Sequence, residues 1–396
     1  MPIKSVLMVL ALRKFALKNS PQREFIPVNE VVLNGKEGEY LQDCIESGWI
    51  SSEGSYVARF EQAFAVATGR RYAVAVSSGS AALDIAVTSL GLQAGDEVIV
   101  PTHTIISCVN PIVRNNLIPV LVDSDESTWN MSIADIQRKI SPKTKAIMVV
   151  HTFGLPVDID PIIDLANANR LLVIEDAAQA IGLQYKNRMC GSFGEVSTLS
   201  FYPNKNITTG EGGMLLCDDA RLAEEFRSLR NLCFQKEQRF KHEKMGWNYR
   251  MSNLHAALGL AQLEQLSEHV KRKREIGLRY RQALGGNPGI VLPPNDKPYA
   301  KNGYWVFGLM LAKEIRANAK EMMSRLAERG IGSRPFFWPM HKQPVFLQQG
   351  MFASGDFPIA NLMGERGFYV PSGIALSLEH QQRVSEVLVD EVSRVS

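Results

Sequence analysis

From Tyr72 to Ala178, short apolar segments alternate with helical patterns, and few folds accommodate such an alternation. The apolar segments are rich in valine and isoleucine and lack polar alternation; they read "YAVAVSS", "DEVIVPT", "IPVLVDSD", "KAIMVVHTFG" and "LLVIEDAA". Strands of this kind are buried on both faces, as in a mostly parallel sheet. The helical patterns between them read "SAALDIAVTSLGL", "IISCVNPIVRNN", "SIADIQRKI", capped by Ser132, and "IDPIIDLANANR". The sequence therefore predicts an α/β fold whose sheet carries helices on both faces.

After Gly182 the pattern changes. The strands "VSTLSFY" and "GGMLLCDD" flank a glycine-rich loop without a full helix between them, which predicts a partly antiparallel edge. The helical run "SNLHAALGLAQLEQLSEHVKRKREIGLRYRQAL" is long enough to link two domains. Beyond it, "GGNPGIVLPPNDKPYAKN" opens a smaller region with the strand "GYWVFGLML" and the helices "AKEMMSRLAERG" and "LEHQQRVSEVLVDEV". Because 396 residues suit more than one core, we predict a peripheral extension over residues 1–24, a large domain over 25–270 and a small domain over 271–396.

Charge and cysteine content exclude several classes of function. Lys and Arg number 44 against 41 Asp and Glu, a formal net charge of +3, and no basic run dominates. We therefore expect neither nucleic acid nor an anionic membrane as a partner. The five cysteines are an odd number, and no two have the spacing of metal ligands or of a redox pair. Free thiols in a cytoplasmic protein without a metal site are the expectation.

The N-terminal segment has two interpretations. Its apolar core, Val6–Leu12, is far shorter than the roughly 20 residues of a membrane-spanning helix. Lys4 resembles the start of a signal peptide, but Arg13, Lys14 and Lys18 follow where a small-residue cleavage site would stand. The pattern favours a basic amphipathic extension over a secretion signal, peripheral to the fold.

Three polar segments are expected at the carboxyl edge of the sheet, where open α/β sheets bind ligands. Ser77–Leu83, "SSGSAAL", forms a strand-to-helix turn; Asp176 ends an apolar strand; Lys205 lies in "SFYPNKNITTGEGG", among small and glycine residues. Each has an ordinary structural interpretation when taken alone: a helix cap, a hydrogen-bonded buried carboxylate, and a solvated loop lysine.

Together, the three segments match one ligand. The helix turn with Gly79, Ser80 and Ser200 suits a phosphate. Asp176 suits a protonated aromatic nitrogen, and the Lys205 amine can trap a carbonyl. Pyridoxal phosphate has all three groups, and a carboxylate at its ring nitrogen strengthens the ring as an electron sink.

Six segments also occur in one fixed order: "SGSAAL", "GDEVIVPTHT", "VDSDESTWNMS", "VIEDAAQAIG", "GSFGEVSTLSFYPNKNITTGEGGML" and "GWNYRMSNLHAALGLAQL". In this order they resemble the DegT/DnrJ/EryC1/StrS family of sugar aminotransferases, from about Phe25 to the C-terminus. The resemblance implies a fold-type I enzyme that uses pyridoxal phosphate. It has a large domain with a mostly parallel seven-stranded sheet and a smaller C-terminal α/β domain. It also implies a homodimer with active sites at the subunit interface.

The resemblance assigns roles to individual residues. Lys205 falls on the lysine that carries the cofactor covalently, and Asp176 on the carboxylate at its ring nitrogen. Other cofactor-binding positions are Gln179 beside the ring, Ser200, Gly79 and Ser80 at the phosphate, and Asn248, which reaches the partner subunit's phosphate. Positions that border substrate are Ser47, Gly48, Trp49 and His341.

Two positions near the predicted cofactor need separate interpretation. Ile105 occupies a position that is commonly an aromatic stacked on the cofactor, and an aliphatic side chain would lose the stacking preference. His103 lies close by, but an ordinary turn residue is favoured over a catalytic base. Lys205 itself discriminates between activities, because related sugar dehydratases have histidine at this position. Lysine therefore favours transamination.

The expected reaction is transfer of an amino group from L-glutamate to a keto-sugar. "DCIESGWISSEGSYVARFE", "STWNMS" and "RPFFWPMH" are most similar to members that convert GDP-4-keto-6-deoxymannose to GDP-perosamine for surface polysaccharide or lipopolysaccharide. Other acceptors stay open: a UDP- or dTDP-linked 4-keto sugar, or 8-oxo-3-deoxy-octulosonate. A non-catalytic protein that binds the cofactor or a sugar is the contrasting class, disfavoured by the presence of Lys205, Asp176 and Gln179.

Overall fold

The computed structural model describes residues 25–235, 237–352 and 355–396. The extension predicted over residues 1–24 lies outside them. In the described ranges the chain forms a seven-stranded sheet, a four-stranded sheet and a small hairpin. None of the helices in these ranges is long and apolar enough to cross a membrane.

The larger sheet contains most of the strands predicted from the sequence. The first nine strands are β1 (Tyr72–Val76), β2 (Glu97–Pro101), β3 (Ile118–Val122), β4 (Thr144–Val150), β5 (Leu172–Asp176), β6 (Gln184–Tyr185), β7 (Arg188–Met189), β8 (Val196–Ser200) and β9 (Gly213–Cys217). β6 pairs with β7, and the others form one sheet in the order β1-β9-β8-β5-β4-β2-β3. From β8 to β3 all neighbours are parallel. The predicted α/β fold with a mostly parallel sheet is confirmed.

The predicted antiparallel pairing beside the glycine-rich loop is confirmed, but the place of the antiparallel strand in the sheet differs from the prediction. β9 is antiparallel to both β8 and β1, but it lies inside the sheet and β1 forms the edge. All five residues of β9 are buried; the apolar sequence pattern indicates this burial but does not identify the neighbouring strands.

Helices cover both faces of this sheet. The first eight are α1 (Glu37–Ser47), α2 (Ser55–Thr68), α3 (Gly79–Ser89), α4 (Asn110–Arg114), α5 (Ile133–Lys139), α6 (Ile159–Asn169), α7 (Ala220–Arg230) and α8 (Asn253–Glu264). α3, α4 and α7 pack on one face; α5 and α6, with α1, α2 and α8, pack on the other. Ser132 caps α5 as predicted, because its Oγ accepts from the Asp135 amide at 3.2 Å. The run predicted as one helix before β3 is a 3₁₀ turn followed by the short α4, since Pro111 disfavours a continuous helix.

The four-stranded sheet has its own helices and core. It contains β10 (Ile290–Val291), β11 (Phe307–Leu311), β12 (Arg334–Pro335) and β13 (Gly367–Val370), all antiparallel, in the order β10-β11-β13-β12. The remaining helices are α9 (Leu266–Leu284), α10 (Ala319–Glu328), α11 (Pro344–Leu347), α12 (Pro358–Arg366) and α13 (Leu378–Ser393). Side chains of α9, α10 and α13 form the core with β11 and β13. The domain division at residue 270 stays a prediction.

The long linking helix is broken, contrary to the prediction. α8 ends at Glu264 and α9 begins at Leu266, with Gln265 at φ −105° and ψ 3° between them. The side chains of Gln262 and Gln265 both donate to Glu37 Oε1, at 2.6 and 3.4 Å. Because the break accompanies these long-range contacts and contains neither Gly nor Pro, the local pattern does not indicate it.

Candidate active site

A cavity of about 340 Å³ lies at the carboxyl edge of the large sheet, where β1, β5 and β8 end. The turns that follow these strands supply its walls, and the segment before β11 and residues near β12 and β13 close it from the other side. Seven of the residues predicted to bind the cofactor line this cavity: Gly79, Ser80, Ile105, Asp176, Gln179, Ser200 and Lys205.

Lys205 lies in the loop between β8 and β9. Its backbone amide donates to the Tyr202 carbonyl at 2.9 Å. The residues after it are buried and bonded: Asn206 donates to the Ile181 carbonyl at 2.8 Å, and Thr208 Oγ1 to the Phe201 carbonyl at 2.8 Å. Much of the loop is buried, so backbone carbonyls in and around it need hydrogen-bond donors. The polar side chains that surround the lysine in the sequence supply some of these donors.

The environment of the Lys205 amine favours its neutral form. Burial lowers the pKa of the ammonium to about 8, although the carboxylate of Asp176 and the thiol of Cys108 act in the opposite direction. An amine with this pKa has a substantial neutral fraction near neutral pH, which a nucleophile or a general base requires.

Asp176 is the last residue of β5 and is 3% exposed. Burial raises the pKa of its carboxyl group, and the Ala178 amide and the Cys108 thiol oppose this rise by donating to it at 3.0 and 3.2 Å. A buried carboxylate with so few donors has capacity for a cationic partner in the cavity.

Four serines converge at the N-terminus of α3. Ser78 Oγ caps the helix by accepting from the Ala81 amide at 3.1 Å. A Cβ added to Gly79 would lie 2.6 Å from Ser200 Cβ, so glycine permits the close approach of these two segments. The hydroxyls of Ser80 and Ser107 lie 2.7 Å apart. Hydroxyls and helix-terminal amides together form a site suited to a phosphate.

Gln179 and Ile105 form further parts of the wall. Gln179 is buried, and its Oε1 accepts from the Phe153 amide at 2.8 Å, which fixes the orientation of the side-chain amide. Ile105 is 39% exposed and lines the cavity in the position expected from the sequence. The cavity nevertheless has aromatic walls, from Trp305, Phe337 and Tyr369.

His103 is a buried core residue and does not line the cavity. Its ring makes edge contacts with Phe153, Phe336 and Phe337, and burial lowers its pKa to about 3. A histidine in such surroundings is neutral at physiological pH; that it is not the catalytic base stays a prediction.

The other predicted positions lie outside the cavity of their own chain. Ser47 is the last residue of α1, and Gly48 and Trp49 follow it; all three are exposed. Asn248 is exposed and accepts from the Arg250 guanidinium at 2.8 and 3.0 Å. His341 is half-buried, with one ring nitrogen 2.7 Å from Thr102 Oγ1 and the other 2.9 Å from Asn361 Oδ1. Their roles stay predictions.

Several residues of the site were missed from the sequence. Cys108 donates to Asp176, Ser107 pairs with Ser80, and Trp305 covers the Lys205 amine. Glu211, Tyr202 and Tyr369 also line the cavity. Tyr202 and Glu211 both lie in the segment "SFYPNKNITTGEGG" with Lys205 and could have been singled out, whereas the others reach the site through contacts between distant segments.

The residues present fit pyridoxal phosphate. The amine suited to its aldehyde, the buried carboxylate suited to its ring nitrogen and the serine-rich helix terminus suited to its phosphate line one cavity. With this fold, such a site defines a pyridoxal phosphate-dependent aminotransferase. The chain belongs to the DegT/DnrJ/EryC1/StrS aminotransferase family, whose profile matches residues 32–389, and it is a sugar aminotransferase.

Named relatives are similar over most of the chain. The GDP-perosamine synthase of Escherichia coli O157:H7 is 41% identical over 356 residues, covering 90% of this chain and 95% of the relative. The GDP-perosamine synthase of Vibrio cholerae is 40% identical over 347 residues, covering 88% and 94%. Among solved structures, the aminotransferase TlmJ from Streptoalloteichus hindustanus has a TM-score of 0.86 at 29% identity, covering 93% of this chain and 99% of that one. DesV from S. venezuelae also has a TM-score of 0.86, at 30% identity, covering 94% and 100%.

Proposed function

We propose that this enzyme transfers an amino group from L-glutamate to GDP-4-keto-6-deoxymannose and forms GDP-perosamine for surface polysaccharide. The observation that carries the transamination is that Lys205 and Asp176 line one cavity. The nucleotide sugar is supported by the GDP-perosamine synthases, which are about 40% identical over about 90% of the chain.

Each residue of the cavity has a role in this proposal. Lys205 would hold the cofactor through its amine, and Asp176 would keep the ring nitrogen protonated. Gly79, Ser80 and Ser200 would hold the phosphate, and Gln179 and Ile105 would lie against the ring. The bound cofactor supplies an electron sink for the carbanion character that develops at the carbon losing its proton.

Lys205 would also move the proton. Once its amine is released by the amino donor, Nζ is in the cavity that holds the donor and can take the proton from the donor's Cα. A pKa near 8 suits this exchange, because both protonation states are accessible at neutral pH. The donor leaves as a keto acid before the sugar enters, so we expect ping-pong kinetics.

Incubation with a panel of keto-sugars tests the proposed substrate. The enzyme is first converted to its amino-loaded form with L-glutamate, and each sugar is then scored by the return of aldehyde absorbance. We expect the fastest return with GDP-4-keto-6-deoxymannose. A faster return with a UDP- or dTDP-linked 4-keto sugar, or with 8-oxo-3-deoxy-octulosonate, would replace the substrate and keep the reaction. No amino-loaded form, despite bound cofactor, would favour a binding protein instead.

We further propose a homodimer whose sites lie at the subunit interface, in the cytoplasm. The exposed apolar side chains of Ile45, Trp49 and Ile50, 52–62% exposed, support an interface beside α1. The five cysteines are all free and buried, which supports a reducing compartment.

Mixed dimers test whether Asn248 serves the partner's site. Asn248→Asp places a carboxylate against the proposed phosphate position, so this variant and Lys205→Ala should each be inactive alone. In a mixed dimer, one site would contain both defects and the other would be intact. Mixed dimers isolated through two affinity tags should therefore show about half of the wild-type rate per chain. Absence of recovery in isolated mixed dimers would mean that Asn248 acts within its own chain, and wild-type activity of Asn248→Asp alone would mean that it serves neither site.

A further inference from the structure

The Lys205 amine lies over the aromatic ring of Trp305, a residue distant from it in the sequence. Nζ lies 3.8 Å from the centroid of the Trp305 ring. Trp305 comes just before β11, in the chain segment that carries the four-stranded sheet, and is 4% exposed. Attraction between a cation and an aromatic face is strongest for tryptophan and is increased where water is excluded.

Contacts on both sides of the indole fix its position. Its Nε1 donates to the Asn204 carbonyl at 2.8 Å, next to Lys205 in the chain. The preceding residue, Tyr304, has a left-handed φ of 49°. The Gly303 amide donates to the Gly154 carbonyl at 2.7 Å, and a Cβ on Gly154 would lie 2.4 Å from the backbone nitrogen of Trp305. A strained backbone held by several partners is typical of a segment that presents one side chain in a fixed place.

Lys273 anchors this segment from α9. Its side chain is 3% exposed, and Nζ donates to the carbonyls of Trp305 and Ser372 at 2.9 and 2.8 Å. Ser372 in turn accepts from the Phe307 amide through Oγ at 3.0 Å. Burying a lysine costs free energy. Because the Lys273 amine contacts these two backbone carbonyls, we interpret its role as fixing the backbone at Trp305.

We propose that Trp305 is a positioning residue for the catalytic lysine: its ring face holds the Lys205 amine whenever that amine is not bonded to the cofactor, and Lys273 holds Trp305. The inference rests on the proposed role of Lys205. During each half-reaction the amine must leave the cofactor and stay within reach of the donor's Cα. A long, flexible side chain does not do so unaided, because fixing it in one place costs conformational entropy that a favourable contact must offset.

The Trp305 indole restricts the position of the Lys205 amine without fixing its protonation state. It offers no acceptor oxygen that would compete for the proton, whereas a carboxylate in the same place would hold the amine as a permanent ammonium. The titratable groups around the amine are Tyr202 and Glu211 from its own loop, and Asp176, Cys108 and Tyr369 from other segments.

The test uses capture of free pyridoxal phosphate by the cofactor-free chain, fixed with borohydride and located at Lys205 by peptide mapping. The rate is measured against pH, where the neutral amine is the reactive form. In Trp305→Phe the face that stabilises the ammonium is weaker and all other titratable groups are unchanged. We expect the midpoint of the capture profile to fall by about half a pH unit.

Kinetics of the glutamate half-reaction give a second readout. In Trp305→Leu we expect kcat to fall on the order of tenfold with KM unchanged, because the donor still binds but the amine is less often in reach. In Lys273→Met we expect kcat of the same half-reaction to fall as well. If Lys273 acts through Trp305, the double variant with Trp305→Phe should be no slower than the worse single variant.

Trp338→Leu is the matched control. This exposed indole also lies under a lysine, with Lys342 Nζ 5.5 Å from its centroid, and we expect neither readout to move. A wild-type midpoint in Trp305→Phe would overturn the inference, and additive losses in the double variant would remove Lys273 from it. If the wild-type chain itself captures no cofactor at Lys205, the proposed function fails instead.

Discussion

Lys205→Ala is expected to abolish both half-reactions while leaving a folded protein that binds pyridoxal phosphate without covalent attachment. The amine is proposed both as the group that bonds the cofactor and as the one that moves the proton, so both contributions vanish together. We expect the glutamate half-reaction to slow by about 10⁴-fold or more. Single-turnover absorbance changes measure this rate, and mass spectrometry after borohydride treatment measures covalent attachment.

Two control variants test whether the effect comes from the chemistry of the Lys205 amine. One keeps the positive charge at position 205, and the other removes a lysine elsewhere in the chain. Lys205→Arg keeps a cation but cannot reach a neutral form, so it should be as inactive as the alanine variant. Lys186→Ala removes a lysine that is also in a turn, yet is exposed and bonded to Asp160 at 2.7 Å, and it should react normally. A small primary amine added to Lys205→Ala should restore part of the proton transfer. Near wild-type turnover in Lys205→Ala would refute the assignment.

The strands of the large sheet could be predicted because burial on both faces leaves a signal within each segment. β2, β4 and β5 each contain at least three consecutive apolar residues, which is typical of strands in a parallel sheet. The place of β9 between β1 and β8, and the break at Gln265, depend on partners far away in the chain. Local periodicity contains no information about such partners.

The same division explains the site. Asp176 and Lys205 stand out because a charged group in an apolar or glycine-rich setting conflicts with its surroundings, and such conflicts mark functional positions. Cys108 and Trp305 cause no conflict in the sequence, since a cysteine in an apolar run and a tryptophan before a strand are ordinary core residues. Their contacts with Asp176 and Lys205 exist only after segments 68 and 100 positions apart meet.

Asp176→Asn is expected to reduce the rate strongly without weakening the cofactor-free fold. Asparagine can still accept from the Ala178 amide, but its neutral amide does not keep a proton on the ring nitrogen, and the electron sink is lost. We expect kcat to fall by about 10²-fold or more. Because burial raises the pKa of Asp176, its ionisation costs folding stability once the pH exceeds the unfolded value. The variant lacks this cost, so its melting temperature at pH 7 should equal or exceed that of the wild type.

Glu175→Gln is the natural comparison, since adjacent strand residues point to opposite faces of the sheet. Although burial alone would raise the pKa of Glu175, hydrogen bonds from His151 and from the Gly191 and Phe193 amides lower it. Its charge therefore stabilises the fold above its unfolded pKa and ceases to do so in acid. In Glu175→Gln the side-chain NH₂ group would face these hydrogen-bond donors, and this mismatch would cost about 3 kcal/mol of folding stability. We expect Glu175→Gln to melt earlier but to retain its rate per folded molecule, measured by calorimetry and by active-site titration. If Asp176→Asn loses stability and keeps its rate, Asp176 is the structural residue of the two.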